Sequence, residues 1–492
     1  MLMRFVATGQ TPPTLQIAET NGVAALSWSI EPEPFPLFLL QATTNMSPPI
    51  TWTNLASAYG TGTANVTMTN SQQFFRLAQL TPIFQFAIFY NLNLEIQPGG
   101  AMNIGGPVFC NASIWAASAG LTFSNSVAAV GQISSNNISD PFMTAGSKTG
   151  SGNPNFILPP ISGAGALNLL GFDTNNNPAS AEAMLQMPPS GDNSSIYLYN
   201  DSVLIITNSS SGGDIQVFYQ NTNNSTTLTL VPPDVTNGNY YSFVTSTNFY
   251  DDRETKIVDA IYLNVTNLSL WLTNTAALGG NLYNNQTIAD TGRGINSIYI
   301  FNSVPMTSTT LPGVQVDHGA QLPPWGLGIA TPDPIYVKGN FNVQDTIGNN
   351  IGQNVTTYTY PAALYADAVT VLSANWNDTN YTSTHDTLLF SRAPAVSTTV
   401  NAVVLEGIVP STGAIYSGGV ENFIRLLEDW NSATLTYNGS IVVMFPSQYA
   451  TNYWGNSSYY GVPTPQWAFD INFSTTGGLP PLTPLVLNLV SP

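Results

Sequence analysis

The chain has very little charge, and most of its charge is negative. Only 7% of the 492 residues are charged, and nine Lys and Arg stand against 27 Asp and Glu, for a formal net charge of −18 at pH 7. This balance repels phosphate backbones and anionic lipid surfaces. Nucleic acid is therefore not an expected partner.

Cysteine and long apolar runs are equally scarce. The one cysteine, Cys110, excludes an internal disulfide and any multi-cysteine metal site. No run reaches the roughly 18 apolar residues of a membrane span, so none is expected. The first residues, MLMRFVATGQ, lack the apolar core of a secretory signal, so we expect an export signal to have been removed or to lie upstream.

The shortage of cations also bears on pH. If every carboxylate were protonated, the chain would carry only its nine Lys and Arg and two His as positive charges, so self-repulsion would stay mild. Carboxylates lose their charge below about pH 3. We hypothesise a protein that is exposed to acid, with an ordinary exported surface protein as the alternative.

Turn-forming and aromatic residues are abundant. The chain has 40 Gly and 35 Pro, and aromatics reach 11%. Short apolar segments separated by turn residues are typical of β-rich chains. The sequence therefore predicts an all-β protein with few helices.

The pattern of short strands divides the chain into five regions. Residues 1–81, with VAALSW, LFLLQATTN and QFFRLAQL, predict a small β-sandwich. From 82 to 135 apolar pairs recur every few residues, which predicts the first coils of an elongated, parallel β-helix-like solenoid, although a two-sheet sandwich stays open. We assign 136–330 to a β-rich middle with long loops, 331–475 to a solenoid-like C-terminal region, and 476–492 to an apolar tail that could donate a strand.

The segment Tyr416–Phe445 concentrates charge in a chain with little charge elsewhere. Its apolar residues fall at helical spacing and predict one short amphipathic helix near 418–430. Carboxylates three or four residues from an arginine predict a structural ion cluster on the opposite face. Its members are Glu421, Arg425, Glu428 and Asp429. The alternative, a glycosidase acid and nucleophile, is disfavoured because one helix face rarely sets two carboxylates across a sugar.

Other chemical motifs are weak. YDDRETK, with Asp251 and Asp252, fits a solvated turn or a calcium-assisted lyase site. His318 and His385 lie in no metal-ligand motif, and nucleophile elbows and phosphate loops are absent from the sequence. We therefore predict no catalytic, cofactor-binding or metal site. The aromatic stretch from Tyr449 to Trp467 could stack on sugars, or form core or an interface.

Asn-x-Ser/Thr sequons are frequent, which indicates a glycan-bearing surface. The glycosylation candidates are Asn45, Asn65, Asn200, Asn264, Asn285, Asn354, Asn377 and Asn438.

Two sets of short sequence motifs resemble those of known proteins. SW, LQATTN, WTNL and FFRL in residues 1–81 resemble an accessory module of exported bacterial proteins. FAIFYNLNLEI, DDRETKIVDAIYLNV and later words across residues 82–485 resemble a family of uncharacterised exported bacterial proteins, some associated with pilus or secretion machinery. The resemblance implies export and an assembly role but brings no active site. Similar proteins tend to carry His in the GPVFCNA stretch, where this chain has Phe109 and Cys110, and this departure weakens a metal role there.

These observations together predict a non-enzymatic structural protein, extracellular or on the cell surface. We expect it to be glycosylated and to assemble with copies of itself into a filament, sheath or surface layer. An adhesin or carbohydrate-binding surface protein, with glycans as partners, is the alternative. A polysaccharide lyase or hydrolase on a β-helix ranks third.

Overall fold

A computed structural model describes most of the chain. The described residues are 15–28, 37–47, 50, 52–55, 62–68, 70, 72–135, 139–143, 148–171, 178–220, 228–231, 233, 241–273, 295–345, 348–351, 356, 359–380, 394–454 and 459–489. Strands take up 44% and helices 9%, which confirms the all-β prediction. No described helix has the length and apolar character that crossing a membrane requires.

The N-terminal residues form antiparallel strands. These are β1 (Gln16–Thr20), β2 (Val23–Ser27), β3 (Leu37–Thr43), β4 (Thr53–Asn54), β5 (Thr63–Thr67) and β6 (Phe74–Pro82). Asn21 and Gly22 join β1 to β2 with φ of 54° and 75°, which suits the tight turn of a hairpin. β1, β2 and β5 form one sheet, while β3, β4 and β6 belong to another. Both sheets contribute to one apolar cluster that contains Leu26 and Leu40.

From Ile88 onward, short strands recur in a three-part cycle. They are β7 (Ile88–Tyr90), β8 (Leu94–Ile96), β9 (Met102–Ile104), β10 (Val108–Cys110), β11 (Ile114–Ala116), β12 (Leu121–Phe123), β13 (Val127–Ala129), β14 (Ile133–Ser135), β15 (Asn155–Phe156) and β16 (Ile161–Ser162). Each strand pairs in parallel with the third strand after it, so that Ile88, Val108 and Val127 align in register. Each turn of chain therefore adds one strand to each of three sheets.

The following segment combines short helices and strands. It contains β17 (Asn168–Leu169), α1 (Pro178–Glu182), α2 (Leu198–Asp201), β18 (Leu204–Thr207), β19 (Gln216–Gln220), β20 (Leu228–Leu230), β21 (Val244–Asp251), β22 (Lys256–Asn264) and α3 (Val265–Thr273). β18 begins a second parallel stack, and β19 and β20 extend the same sheet beyond it as antiparallel strands.

The last third continues this second stack. Its strands are β23 (Ser297–Phe301), β24 (Thr310–Asp317), β25 (Leu327–Ala330), β26 (Ile335–Lys338), β27 (Ala362–Ala366), β28 (Val369–Leu372), β29 (Thr398–Asn401), β30 (Val403–Ile408), β31 (Arg425–Leu426), β32 (Thr434–Gly439), β33 (Ile441–Pro446), β34 (Thr464–Phe469) and β35 (Leu485–Leu489). Their apolar side chains contribute to two separate clusters of buried residues, and both clusters also contain residues of the first stack.

The two stacks join in the middle of one long sheet. β33 pairs in parallel with β7, and Ile441 lies opposite Ile88. The twelve-stranded sheet therefore has the order β16-β13-β10-β7-β33-β30-β27-β25-β23-β18-β19-β20. The chain enters this sheet near its middle, runs to one end, crosses to the other end and returns.

Buried asparagines at equivalent positions bond to one another across the turns. Asn438 Nδ2 donates to Asn401 Oδ1 at 2.7 Å, and Asn401 Nδ2 donates to the carbonyl of Asn342 at 2.9 Å. In-register parallel strands bring these amides together, so each side chain meets the donors and acceptors that burial requires. We call this set of bonded asparagines the asparagine ladder. It stabilises the turns that lead from the β29-β32-β34 sheet to the twelve-stranded sheet.

The predicted helix near 418–430 is wrong. The segment holds a 3-10 turn at Val420–Asn422 and the short strand β31. Val420, Phe423 and Trp430 are buried, as the periodicity required, but Arg425 and Glu428 are buried as well. A helix with one solvent-facing side cannot bury residues all round, whereas a segment enclosed by the stack can.

The C-terminal tail pairs within its own chain. β35 lies antiparallel to β6, with Leu487 opposite Leu80, and its Val486 is fully buried. In this structure the tail therefore supplies a strand to the N-terminal part of the same molecule.

Candidate functional site

A large cleft lies where the first stack of strands meets the second, on the side formed by the β15-β12-β9 sheet and the β29-β32-β34 sheet. There β9 and β34 are edge strands of two separate sheets, and the space between them is a cleft of about 730 Å³. We call it the seam cleft. The residues that bear on its chemistry are Gln97, Lys148, Glu421, Trp454, Tyr460 and Trp467.

Proline explains why β34 stays an edge strand. The Thr464 N–H donates to the Ala433 carbonyl at 2.9 Å, toward β32. Because successive backbone N–H groups in a strand point to opposite sides, the nitrogen of Pro465 faces the cleft, and proline has no hydrogen to donate there. The opposite wall contains Gly99 and Gly100, which add no side chains to fill the gap.

Two adjacent glycines set the floor of the seam cleft. Gly418 and Gly419 have φ of 97° and 70°, the left-handed region that favours glycine. A Cβ at Gly418 would lie 2.9 Å from Trp454 Cγ, and one at Gly419 would lie 2.5 Å from Glu421 Oε2. The backbone therefore makes room for the indole and the carboxylate at one point.

Aromatic rings in the cleft are held by specific contacts. Trp454 Nε1 donates to the Tyr460 hydroxyl at 3.0 Å, and that hydroxyl donates to Asn422 Oδ1. Trp467 on β34 packs edge-on against Tyr437, with ring centroids 6.1 Å apart. Both indoles are half-buried, so each keeps part of its surface toward the cleft.

One ammonium group lies beside these rings. Lys148 Nζ sits 3.8 Å from the centroid of the Tyr416 ring and 6.0 Å from that of Trp454. A cation over an aromatic face is attracted by the ring quadrupole. Burial lowers the pKa of Lys148, and the nearby carboxylates of Glu421 and Glu95 oppose that shift.

Carboxyl groups with raised pKa values line and underlie the cleft. Burial raises the pKa of Glu421 to about 7, against the opposing charge of Lys148. Burial and a hydrogen bond with Asp140 raise the pKa of Glu95 to about 8. Ser411 Oγ donates to Glu95 Oε1 at 2.7 Å, which opposes the shift only in part. Glu95 therefore keeps its proton at pH 7.

Three buried polar atoms at the seam cleft have no hydrogen-bond partner within the described part of the chain. They are Gln97 Oε1, Glu421 Oε1 and Trp467 Nε1. Each such atom costs about 1–3 kcal/mol when left unpaired. Two of them are acceptors and one is a donor.

The predicted ion cluster does not assemble. Arg425 forms a buried ion pair with Glu254 and donates to the Ala450 carbonyl at 2.8 Å. Glu428 accepts the Ser373 hydroxyl at 2.7 Å, and Glu421 lines the seam cleft. Asp429, near the surface, accepts from Asn431 Nδ2 at 2.6 Å.

The YDDRETK motif forms the buried end of the β21–β22 hairpin. Asp251 accepts the Tyr336 hydroxyl at 2.7 Å and the Arg253 N–H at 2.8 Å, so its carboxylate is used in holding the turn. Across the described residues, no three His, Cys, Asp or Glu side chains gather as a metal site.

The sequons differ in accessibility. Asn45, Asn65 and Asn377 are exposed, and Asn200 and Asn264 are half-buried. Asn285 and Asn354 lie outside the described residues. Asn438 is wrong as a glycosylation candidate, because its side chain is buried and its Nδ2 donates to Asn401 in the ladder.

The sequence pointed to part of the seam cleft. Trp454 and Trp467 belong to the aromatic stretch that allowed sugar stacking, but Gln97 and Lys148 carried no signal. They lie more than 250 residues before the aromatics in the chain and reach them only because the last turns of the chain stack on the first.

Comparison with known proteins adds no relative. No family model, curated protein or solved structure matches the chain.

Proposed function

We propose that this is an extracellular or cell-surface protein that binds a glycan in the seam cleft. The observation that carries the proposal is the coincidence of half-buried indoles with unpaired buried acceptors and a donor in one cleft. Sugars present apolar C–H faces to aromatic rings, and their hydroxyls both donate and accept hydrogen bonds.

The fold is suited to presenting such a site on a rigid body. We interpret the stacked parallel strands as a β-solenoid, in which the parallel sheets are the faces. We interpret the N-terminal strands as a β-sandwich. Stacked turns share backbone hydrogen bonds and form a rigid body. The exposed sequon asparagines Asn45 and Asn377 support an exported, glycosylated protein.

The site favours binding over cleavage. Glycoside hydrolysis commonly uses two carboxyl groups on opposite sides of the bond. Among the described residues that line the seam cleft, Glu421 is the one carboxylate. Glu95 is buried behind the wall and bonded to Ser411 and Ser417. These features support a protein without enzymatic turnover.

Alanine at Trp467 tests the proposal. A glycan array with wild-type protein identifies a ligand, and calorimetry compares Trp467→Ala with the control Trp325→Ala, a tryptophan that is exposed outside the cleft. Loss of one stacking ring is expected to weaken binding by about tenfold. The control should bind as wild type. An array without hits, or equal loss in both variants, contradicts the proposal.

End-to-end self-association is a second candidate, favoured by the two ends of the long sheet. β16 at one end and β20 at the other run in the same direction, because β20 is separated from the parallel strands by two antiparallel pairings. Exposed apolar side chains lie at both ends: Ile157 and Leu158 beside β16, Leu228 and Leu230 on β20. A second copy that stacked end to end would extend the sheet with matching strand direction.

Electron microscopy and sedimentation test this second candidate. Leu230→Lys should abolish filaments or shift the protein to monomer, whereas Ile471→Lys, at an exposed site away from β20, should not. A wild-type protein that stays monomeric at high concentration contradicts it.

A further inference from the structure

The seam cleft contains features that distinguish among glycans, and the following inference rests on the proposed function. The chain has only nine Lys and Arg, and Lys148 is the one cation among the described residues that line this cleft. Arg253 and Arg425 do not line the cleft, and both are buried and donate to the backbone carbonyls of Asn452 and Ala450, respectively. The ammonium of Lys148 is therefore the group best placed to meet a charged ligand.

We propose that the seam cleft binds an acidic saccharide, with the carboxylate of a hexuronate unit held between the Lys148 ammonium and the Glu421 side chain, which line the cleft together. The ring of the same unit would lie against the half-buried indole of Trp454 or Trp467. The cleft thus offers a cation to the carboxylate of a uronate and an aromatic surface to its ring.

The charge balance at the site depends on pH. At pH 5, Glu421 and Glu95 hold protons, since burial raises the pKa of these groups to about 7 and about 8. The protonated Glu421 then donates a hydrogen bond to the ligand carboxylate. At pH 8 Glu421 is ionised and Glu95 is partly ionised, so carboxylates repel the ligand. A uronate stays ionised throughout this range, because carboxyl groups in water titrate near pH 4.

No other titratable group near Glu421 reverses this balance. The groups that face it are Lys148, Glu95, Asp140, Tyr90, Tyr416 and Tyr460. Burial raises the pKa of all three tyrosines, so their hydroxyls stay neutral up to pH 8. Burial lowers the pKa of Lys148, and any loss of its charge at higher pH would weaken binding of an anion in the same direction as ionisation of Glu421 and Glu95.

Calorimetry with two matched probes tests the inference. Trigalacturonate and its methyl ester have the same sugar rings and linkages, but each carboxylate of the acid is an uncharged methyl ester in the second probe. We expect wild-type protein at pH 5 to bind the acid at least about tenfold more tightly than the ester, and to lose about tenfold of that affinity by pH 8. Affinity for the ester should stay level across the range, which controls for changes in the protein itself.

Two variants separate the roles of the charged groups. Lys148→Met should bring the affinity for the acid down to that of the same variant for the ester. Glu421→Gln is nearly isosteric and neutral, so it should flatten the fall in affinity for the acid toward pH 8. Circular dichroism confirms that each variant is folded.

The outcomes also separate this inference from the proposed function. Equal binding of acid and ester, or tighter binding of the acid at pH 8, overturns the inference and leaves glycan binding in place. Absence of binding to trigalacturonate together with array hits for neutral glycans also overturns the inference alone. An array without hits overturns both.

Discussion

The same junction between the two stacks is closed on one face and open on another. On the long sheet, β33 and β7 pair strand to strand, and Val442 and Phe89 at that point are fully buried. On the third face, β34 and β9 end separate sheets and leave the seam cleft. Distance along the chain is nearly the same at both places, so the difference comes from local chemistry.

The two places differ in the backbone donors that they offer to the facing strand. Each residue of β33 next to β7 has an N–H, and the Ile441 N–H donates to the Ala87 carbonyl at 2.9 Å. Pro465 on β34 has none on its cleft side. A missing donor costs little at an open edge, whereas it would leave an acceptor unpaired in a closed sheet. Position 465 therefore loses no backbone hydrogen bond by facing the cleft.

The largest expected effect is at the closed part of the junction, where β33 pairs with β7. Val442→Asp would bury an unpaired carboxylate between the two stacks and should cost more than about 4 kcal/mol or prevent folding. Gln466→Asp, at the exposed edge of the open seam, should change stability by less than about 0.5 kcal/mol. Urea unfolding measures both. Similar losses in the two variants would show that the seams do not differ in this way.

The next effect concerns the buried ion pair that ties β31 to the β21–β22 hairpin. Arg425→Met leaves Glu254 buried without its partner and should cost about 3–5 kcal/mol. The double variant Arg425→Met with Glu254→Gln removes the uncompensated charge and should recover part of that loss. Guanidinium unfolding of the single and double variants gives the coupling, and additive losses would contradict it.

Stability should increase as pH falls from 8 to 5. Burial raises the pKa of Asp333 to about 7 and of Asp367 to about 6, in addition to the shifts at Glu421 and Glu95. Because the folded values lie above the ordinary values of 3.8 and 4.5, the folded state binds more protons. This stabilisation is complete below about pH 4 and is lost as pH rises through about 6 to 8.

Thermal unfolding checks this prediction and the acid-exposure hypothesis together. We expect Tm at pH 5 to exceed Tm at pH 8 by about 5 °C. Glu421→Gln should reduce the difference, since it removes one titrating group. A Tm that falls steadily from pH 8 to pH 5 would contradict the prediction.

The smallest effect is at the proline itself. Pro465→Val adds an N–H on the cleft side and should leave stability within about 0.5 kcal/mol, because no described partner is lost. Thr464→Pro, one residue earlier, removes the bond to Ala433 and should cost about 1–3 kcal/mol. Urea unfolding measures the stability of both variants. An equal cost at both positions would mean that the backbone nitrogen of residue 465 does not face the cleft.

Composition and short-range spacing predicted the features that depend on residue type alone. They failed where a side chain bonds to a residue far away in the sequence. Composition and turn residues indicated the strand-rich class. At 418–430 the apolar spacing correctly marked Val420 and Trp430 as buried, but it suggested a helix because the partners of Arg425 and Glu428, Glu254 and Ser373, have no local signature. Likewise, Asn438 matched a sequon, while its burial in the ladder depends on Asn401 in the preceding turn.

Residue types and short-range spacing were enough to predict the strand-rich class and the lack of ready-made catalytic motifs. The three-dimensional structure was needed to show that Ile441 lies beside Ile88, and that Lys148 and Gln97 share a cleft with Trp467. Parallel strands pair through backbone groups which every residue except proline carries, so the sequence does not mark which turns will meet.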